Sequence, residues 1–326
     1  MKKMMIIAAL TLIALAAHGQ KKESLALLPF TGGQSEEGDR YSERYTALTD
    51  GMDVMPKLAA GLNGTTIVVS GGGGSGGTPA GFVRVPSGIF SMGGTMYDWE
   101  KPMHQVTISR AFYMSDHEVT QKEWYDVMGT TVRQQRDMRD KSWSLYGEGD
   151  NNPMYYVSWY EAIEYCNKRS IAEGLTPAYS GSGDYITCNF KANGYRLPTE
   201  AEWEWAAKGG GEDFIMIYEY SGSNSVDEVA WYKGNSGSQT HPVKTRRGNS
   251  LGLYDMSGNV YEWCWDWYGA YSSGAQTDPA GAAGGTLRVY RGGSWIVDAQ
   301  SVRSVSRDGD TPSVGGGIIG FRLVRQ

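Results

Sequence analysis

Three Ser/Thr-x-x-Glu patterns, at residues 120–123, 158–161 and 199–202, each precede a glycine by no more than about four helical turns. In such a capping box the first side chain accepts a backbone N–H while the glutamate reaches back to another. Gly129, Gly174 and Gly209 supply the stops. The helices of this chain are therefore short, and three are expected. The rest must be short strands and loops, which is what 45 Gly, 21 Tyr and 11 Trp in 326 residues favour. The length suffices for a large buried core, and the fold class expected is α+β, loop-rich, with short strands. In the middle helix Ala162, Ile163, Cys166 and Ile171 fall on one side and read as a core face.

The first segment reads as an address. Lys2 and Lys3 precede an apolar run over residues 4–17, followed by the small-x-small pattern of Ala17, His18 and Gly19. Residues 1–19 are read as a signal peptide, cleaved before Gln20. A lipoprotein would need a cysteine at that place, so lipid anchoring is not expected. The run is short for a spanning helix, and nothing later reaches that length. The expected protein is exported: periplasmic, on the cell surface or secreted. Removing Lys2 and Lys3 takes the formal charge of −6 to −8, which argues against a general nucleic-acid binder. Cys166, Cys188 and Cys264 form an odd set, so at most one internal disulfide can form; buried single thiols are the other reading.

Residues 71–80 (GGGGSGGTPA) read as a flexible linker. They also fit the spacing of a nucleophile elbow and of a dinucleotide fingerprint, but no helix can follow directly through Pro79 and Gly81. Ahead of the linker, residues 20–70 hold two strand-like runs and few large apolar side chains, and no function is assigned to them. The main domain is expected over residues 81–326.

No catalytic arrangement of side chains is legible in this domain. His117 and Glu118 begin like a zinc-protease helix, but the second histidine one turn on is missing. His104, His117 and His241 are far apart and read as hydrogen-bonded residues. Glu200 and Glu204 stand one turn apart and could share a proton or a cation; helix-dipole and capping roles for the acidic first turn are favoured. Asp308, Gly309 and Asp310 start like a calcium loop but lack its remaining ligands, and read as a solvated turn.

Seven blocks occur in order: 82–93 (FVRVPSGIFSMG), 118–120 (EVT), 157–159 (VSW), 196–204 (RLPTEAEWE), 252–263 (GLYDMSGNVYEW), 291–295 (RGGSW) and 320–322 (GFR). In these the chain resembles the formylglycine-generating enzyme (sulfatase-modifying factor) family, from residue 81 to the C-terminus. The resemblance implies the family's variant of the C-type lectin fold. It also implies copper- and O2-dependent oxidation of a substrate cysteine by two cysteines five residues apart. Val297 and Val302 occupy those positions, and no cysteine follows Cys264. Valine offers no thiolate to soft Cu(I), so an enzyme is not expected and no catalytic residue or catalytic cofactor is assigned. Cys166 matches a disulfide cysteine of the family whose C-terminal partner is missing. The resemblance further implies a structural Ca2+ at Asp255, Gly258, Val260 and Glu262, through side-chain or backbone oxygens.

The C-terminal region is similar to that of treponemal variable proteins, whose genes are diversified by a retroelement that replaces template adenines. Fixed-looking blocks alternate there with residues reachable from an Asn codon. The positions so read, over residues 290–318, are Tyr290, Ile296, Val297, Asp298, Ser301, Val305, Ser306, Asp308, Gly309, Asp310, Val314, Gly315, Gly316, Gly317 and Ile318. They are expected to be exposed loop positions that bind a ligand. The function expected is a non-catalytic ligand-binding protein whose partner is another protein or a cell-surface molecule. A metal-dependent oxidoreductase or modifying factor of the same family, and an exported structural envelope component, are the alternatives.

Overall fold

The computed structural model describes residues 78–211 and 218–326. The expected signal peptide and the segment 20–70 lie outside the described residues, as does the linker except for residues 78–80.

The three expected helices form where the capping boxes place them. They are α1 (Gln121–Met128), α3 (Trp159–Ala172) and α4 (Glu200–Ala207); α2 (Val132–Arg139) and the single turn α5 (Val226–Val229) are additional. Thr120, Ser158 and Thr199 each accept the N–H of the glutamate three residues on, and that glutamate closes the box. Gly129 and Gly174 follow their helices in the left-handed conformation that glycine adopts without steric penalty. Helix α2 was not expected, yet it carries the same signal in its Gln form: Thr131 caps it and Gln134 reaches back. On α3, Ala162, Ile163 and Cys166 are buried, but Ile171 is 65% exposed. Ser170 in the same turn is buried, whereas Ile171, five residues after Cys166, lies well round the helix from it and so leaves the expected core face.

The strands are short because aromatic loops and turns interrupt them. Strands β1 (Phe82–Val85), β4 (Phe112–Ser115) and β12 (Val324–Arg325) make one sheet, with β4 central. It joins the start of the domain to its end. Strands β2 (Gly88–Met92), β3 (His104–Ile108) and β8 (Gln276–Thr277) make a second, and β5 (Tyr179–Ser180) pairs with β6 (Thr187–Cys188). The sheet that positions the site has the order β10 (Arg307–Asp310), β9 (Arg288–Arg291), β7 (Tyr261–Trp267), β11 (Ile319–Gly320).

Register in that sheet sorts side chains by face. Glu262, Arg291 and Arg307 stand in one cross-strand row, and Trp263, Tyr290 and Asp308 in the next. Because successive residues of a strand point to opposite faces, the first row meets α4 and the second turns away from it. Two apolar clusters fill the domain. One gathers Trp124, Tyr155, Trp159, Tyr165, Cys166, Trp263 and Phe321. The other gathers Phe90, Val106, Trp203, Trp205, Leu253, Cys264 and Val289. All three cysteines are free thiols. No helix among the described residues is long and apolar enough to cross a membrane.

Strand β11 runs so close to residue 154 that a Cβ on Gly320 would lie 2.3 Å from the Met154 carbonyl oxygen. Gly320→Ala is therefore expected to destabilise the protein by roughly 1–3 kcal/mol or more. A fall in the urea midpoint measures it; an unchanged midpoint would mean that this approach is not needed.

Candidate ligand-binding surface

The blocks that carry the family resemblance meet in a buried network of arginines and carboxylates. Arg291 has no solvent exposure and bridges two residues of α4, donating to Glu204 at 2.6 Å and to Glu200 at 3.1 Å. Arg307 makes a fork on Glu200, with both distances 2.7 Å, and Tyr271 donates to the same carboxylate. Lys208 and the Gly93 N–H complete Glu204. Arg322 forks onto Glu262 at 2.6 Å twice, and the Trp203 indole donates to it at 2.6 Å. Arg303 donates to buried Glu100 at 2.5 Å, and Arg196 forks onto the capping residue Glu202. Thus Glu200 and Glu204 do share a cation, the Arg291 guanidinium. The capping role falls to Glu202, while the first-turn position of Glu200 leaves its side chain free for Arg291 and Arg307. Burial pushes the carboxyls of Glu200 and Glu204 up, and the adjacent cations outweigh it and hold both below the usual range.

A second group has the opposite balance. Glu118, Asp255 and Glu262 are buried together with Arg322 as the nearby cation. Glu118 accepts from the Asn259 amide and the Val260 N–H, and Asp255 accepts from the Lys244 N–H. Burial, then the Asp255 and Glu262 carboxylates, raise Glu118 well above its ordinary value. Burial raises Asp255 to about 6.

This arrangement bears on the expected calcium. The two Glu262 oxygens already accept from Arg322 and Trp203, so the bidentate face that a hard cation requires is in use. No group of three His, Cys, Asp or Glu side chains among the described residues is placed to hold a metal ion. A Ca2+ ion held by Asp255, Gly258, Val260 and Glu262 would share the Glu262 carboxylate with Arg322.

Above the network, the C-terminal segment alternates held and presented residues. Ile296, Asp298 and Asp308 are exposed. Val297, Ser301, Val305, Ser306, Gly309, Asp310, Val314, Gly316, Gly317 and Ile318 are half-buried. Exposure was expected of all these positions, and two of them are buried outright. Tyr290 is only 8% exposed, in β9 between Tyr261 and Trp263, and Gly315 is buried. Nor are Asp308, Gly309 and Asp310 a turn: they pair with β9 as strand β10. Their polar composition hides the strand, because nothing in Asp-Gly-Asp signals a buried face. The glycine run packs closely too. A Cβ on Gly315 would meet the Arg139 guanidinium, and one on Gly317 would meet the Tyr146 ring, whereas Gly316 has room.

Val297 and Val302, which the sequence resemblance set at the positions of a cysteine pair, make apolar contacts. Val302 is fully buried with Tyr220, Val229 and Ala230, and Val297 packs against the same cluster. Sequence reasoning missed the flanks of this surface. Tyr97 and Trp99 stack at 4.6 Å, the Tyr97 hydroxyl donates to Gln300, and Arg307 donates to the Trp99 carbonyl. On the other flank Tyr146 packs on Trp295 at 4.6 Å. Exposed aromatics beside the segment would have been the signal. The three histidines are all hydrogen-bonded: His104 to the Pro102 carbonyl, His241 to the Ser236 carbonyl, and His117 to Asp116.

A loop-rich α+β frame whose helix carboxylates are clamped by arginines from its C-terminal blocks is a domain of the formylglycine-generating-enzyme type, the variant of the C-type lectin fold that the sequence led us to expect. Residues 74–326 match the sulfatase-modifying factor enzyme 1-like domain, and the chain belongs to that family. Among its relatives, the chaperone protein LppX of Paenibacillus barcinonensis is 39% identical over 276 residues, covering 74% of this chain and 88% of LppX. The formylglycine-generating enzyme of Streptomyces coelicolor is 28% identical over 305 residues, covering 74% and 88%. A serine/threonine-protein kinase pkn1 of Chlamydia pneumoniae is 31% identical over 263 residues; the match covers 74% of this chain and only 37% of the kinase. The solved structure of Treponema denticola variable protein 1 is 34% identical, with a TM-score of 0.66, and the match covers 75% of this chain and 94% of that one.

Arg291→Ala would leave Glu204 and Glu200 short of a buried cation. It is expected to destabilise the fold by about 3–5 kcal/mol, read from chemical denaturation. Asp255 titrates the other way. Its folded pKa of about 6 lies above its ordinary 3.8, so its contribution is favourable at low pH and is lost as pH rises through 6. Asp255→Asn should therefore gain stability relative to the parent between pH 5 and pH 8, and a difference that does not change with pH would contradict this.

Proposed function

We propose that the protein is a non-catalytic ligand-binding protein that presents its C-terminal segment on a fixed scaffold. The observation that carries this reading is the alternation along the segment. Arg291, Arg303, Arg307 and Arg322 are held by buried carboxylates, while Ile296, Asp298 and Asp308 between them are exposed. Exposed substitutions away from such anchors usually change stability by no more than about 0.5 kcal/mol. Recognition residues can then be exchanged without disturbing the frame. The likeness to Treponema denticola variable protein 1 supports the same reading, as do Val297 and Val302 in place of the cysteine pair. The ligand is a protein or a cell-surface molecule, and the protein meets it after export.

The reading is tested by exchanging residues 290–318 for the matching segment of Treponema denticola variable protein 1. Both chains are then probed against one panel of purified surface proteins. The binding pattern is expected to follow the exchanged segment; a pattern that stays with the scaffold overturns the proposal. Sequencing the 3′ end of the gene across a growing population adds an independent check. Substitutions are expected at the codons of residues 290–318, beside a near-identical template repeat, and an invariant end without a repeat would remove the diversification.

A further inference from the structure

The C-terminal segment holds two carboxylates for which the described residues offer no cation. Asp308 and Asp310 are two residues apart in the edge strand β10 and so share one of its faces. Neither makes an ion pair among the described residues. Asp308 accepts from the Gly309 N–H at 2.8 Å and from the Tyr290 hydroxyl, and Asp310 from the Thr311 N–H at 2.7 Å. By contrast, Asp298 in the same segment pairs with Lys233. The nearest arginine in register, Arg288 opposite Asp310, points elsewhere. Its guanidinium lies 3.5 Å from the centre of the Trp267 ring and 3.8 Å from that of Trp159, and donates to the Trp265 carbonyl.

Two tyrosines adjoin these carboxylates. Tyr290 stands directly across from Asp308, and its ring meets that of Tyr261 at 4.4 Å. Both tyrosines are 8% exposed. The Tyr261 hydroxyl finds no hydrogen-bond partner among the described residues, although the side chain is otherwise buried. It reaches toward Asp308: burial first, and then the Asp308 carboxylate, push its phenol up, and both act on Tyr290 as well.

We propose that Tyr261, Tyr290, Asp308 and Asp310 form a subsite for a cationic side chain, a lysine or arginine of a protein partner. Resting on the ligand-binding reading above, this adds the chemistry of the partner. A cation entering here would pair with two carboxylates, lie against aromatic rings and give the Tyr261 hydroxyl oxygen a donor. The overall charge of −6 favours the approach of a basic partner. With the exposed Asp308 in a strand that the sheet leaves open at one edge, the cation has access from solvent.

The test uses the full chain and a tetralysine peptide with blocked ends, followed by calorimetry at low ionic strength, with tetraglutamate as control. Tetralysine is expected to bind and tetraglutamate not to. The double variant Asp308→Asn/Asp310→Asn should weaken tetralysine binding about tenfold and leave the unfolding midpoint in place, since Asp308 is exposed, Asp310 is half-buried, and neither makes an ion pair among the described residues. Tyr261→Phe should weaken it less. A variant that removes two exposed charges elsewhere, Asp126→Asn/Glu164→Gln, should bind within about twofold of the parent. Equal loss in both double variants, no loss in the first, or displacement of the peptide by micromolar Ca2+ would each overturn the proposal. The segment exchange reads any ligand, so a pattern that follows the segment while the tetralysine experiment fails refutes this subsite and not the ligand-binding surface.

Discussion

Arg291 is a guanidinium without solvent contact, and the two carboxylates of α4 that it joins are buried with it. Taking such ions out of water costs several kcal/mol each, and close pairing of the opposite charges is what offsets that. Here the offset comes from groups remote in sequence. Glu200 needs Arg291, Arg307 and Tyr271; Glu204 needs Arg291, Lys208 and the Gly93 N–H. Removing any one leaves a buried charge short of partners. The blocks are thus tied together as one cooperative unit rather than by separate contacts.

That unit explains how an irregular segment can be held in a single shape. Residues 291–322 contain little regular structure, yet arginines at 291, 303, 307 and 322 each reach into the interior. Trp295, Val302 and Phe321 bury apolar area between them. Ile296, Asp298 and Asp308, between these anchors, are exposed. The acids around Arg322 show the opposite economy of charge: Glu118 and Asp255 lack a full complement of cations and hold their protons more tightly.

Much of the fold was legible in the sequence, for local reasons. Capping boxes act within four residues, so α1, α3 and α4 could be read with their stops. Helix α2 was missed because its box uses Gln134, and Ile171 was misplaced because it lies well round the helix from Cys166. Of the candidate site, the exposed Ile296, Asp298 and Asp308 were legible. The burial of Tyr290, the strand at Asp308–Asp310 and the flanking Tyr97 and Trp99 were not. Each depends on a neighbour far away in the chain.

By itself the sequence determined the residue types and the local signals: short capped helices, aromatic loops and an α+β class. Tertiary structure alone decided which charges meet. Arg322 reaches Glu262 across 60 residues and Arg307 reaches Glu200 across 107. No periodicity marks such a pairing, because it arises only when β9 and β10 set their arginines over α4. The same assembly decided that Glu262 faces a guanidinium, and that Asp308 and Asp310 pair with none among the described residues.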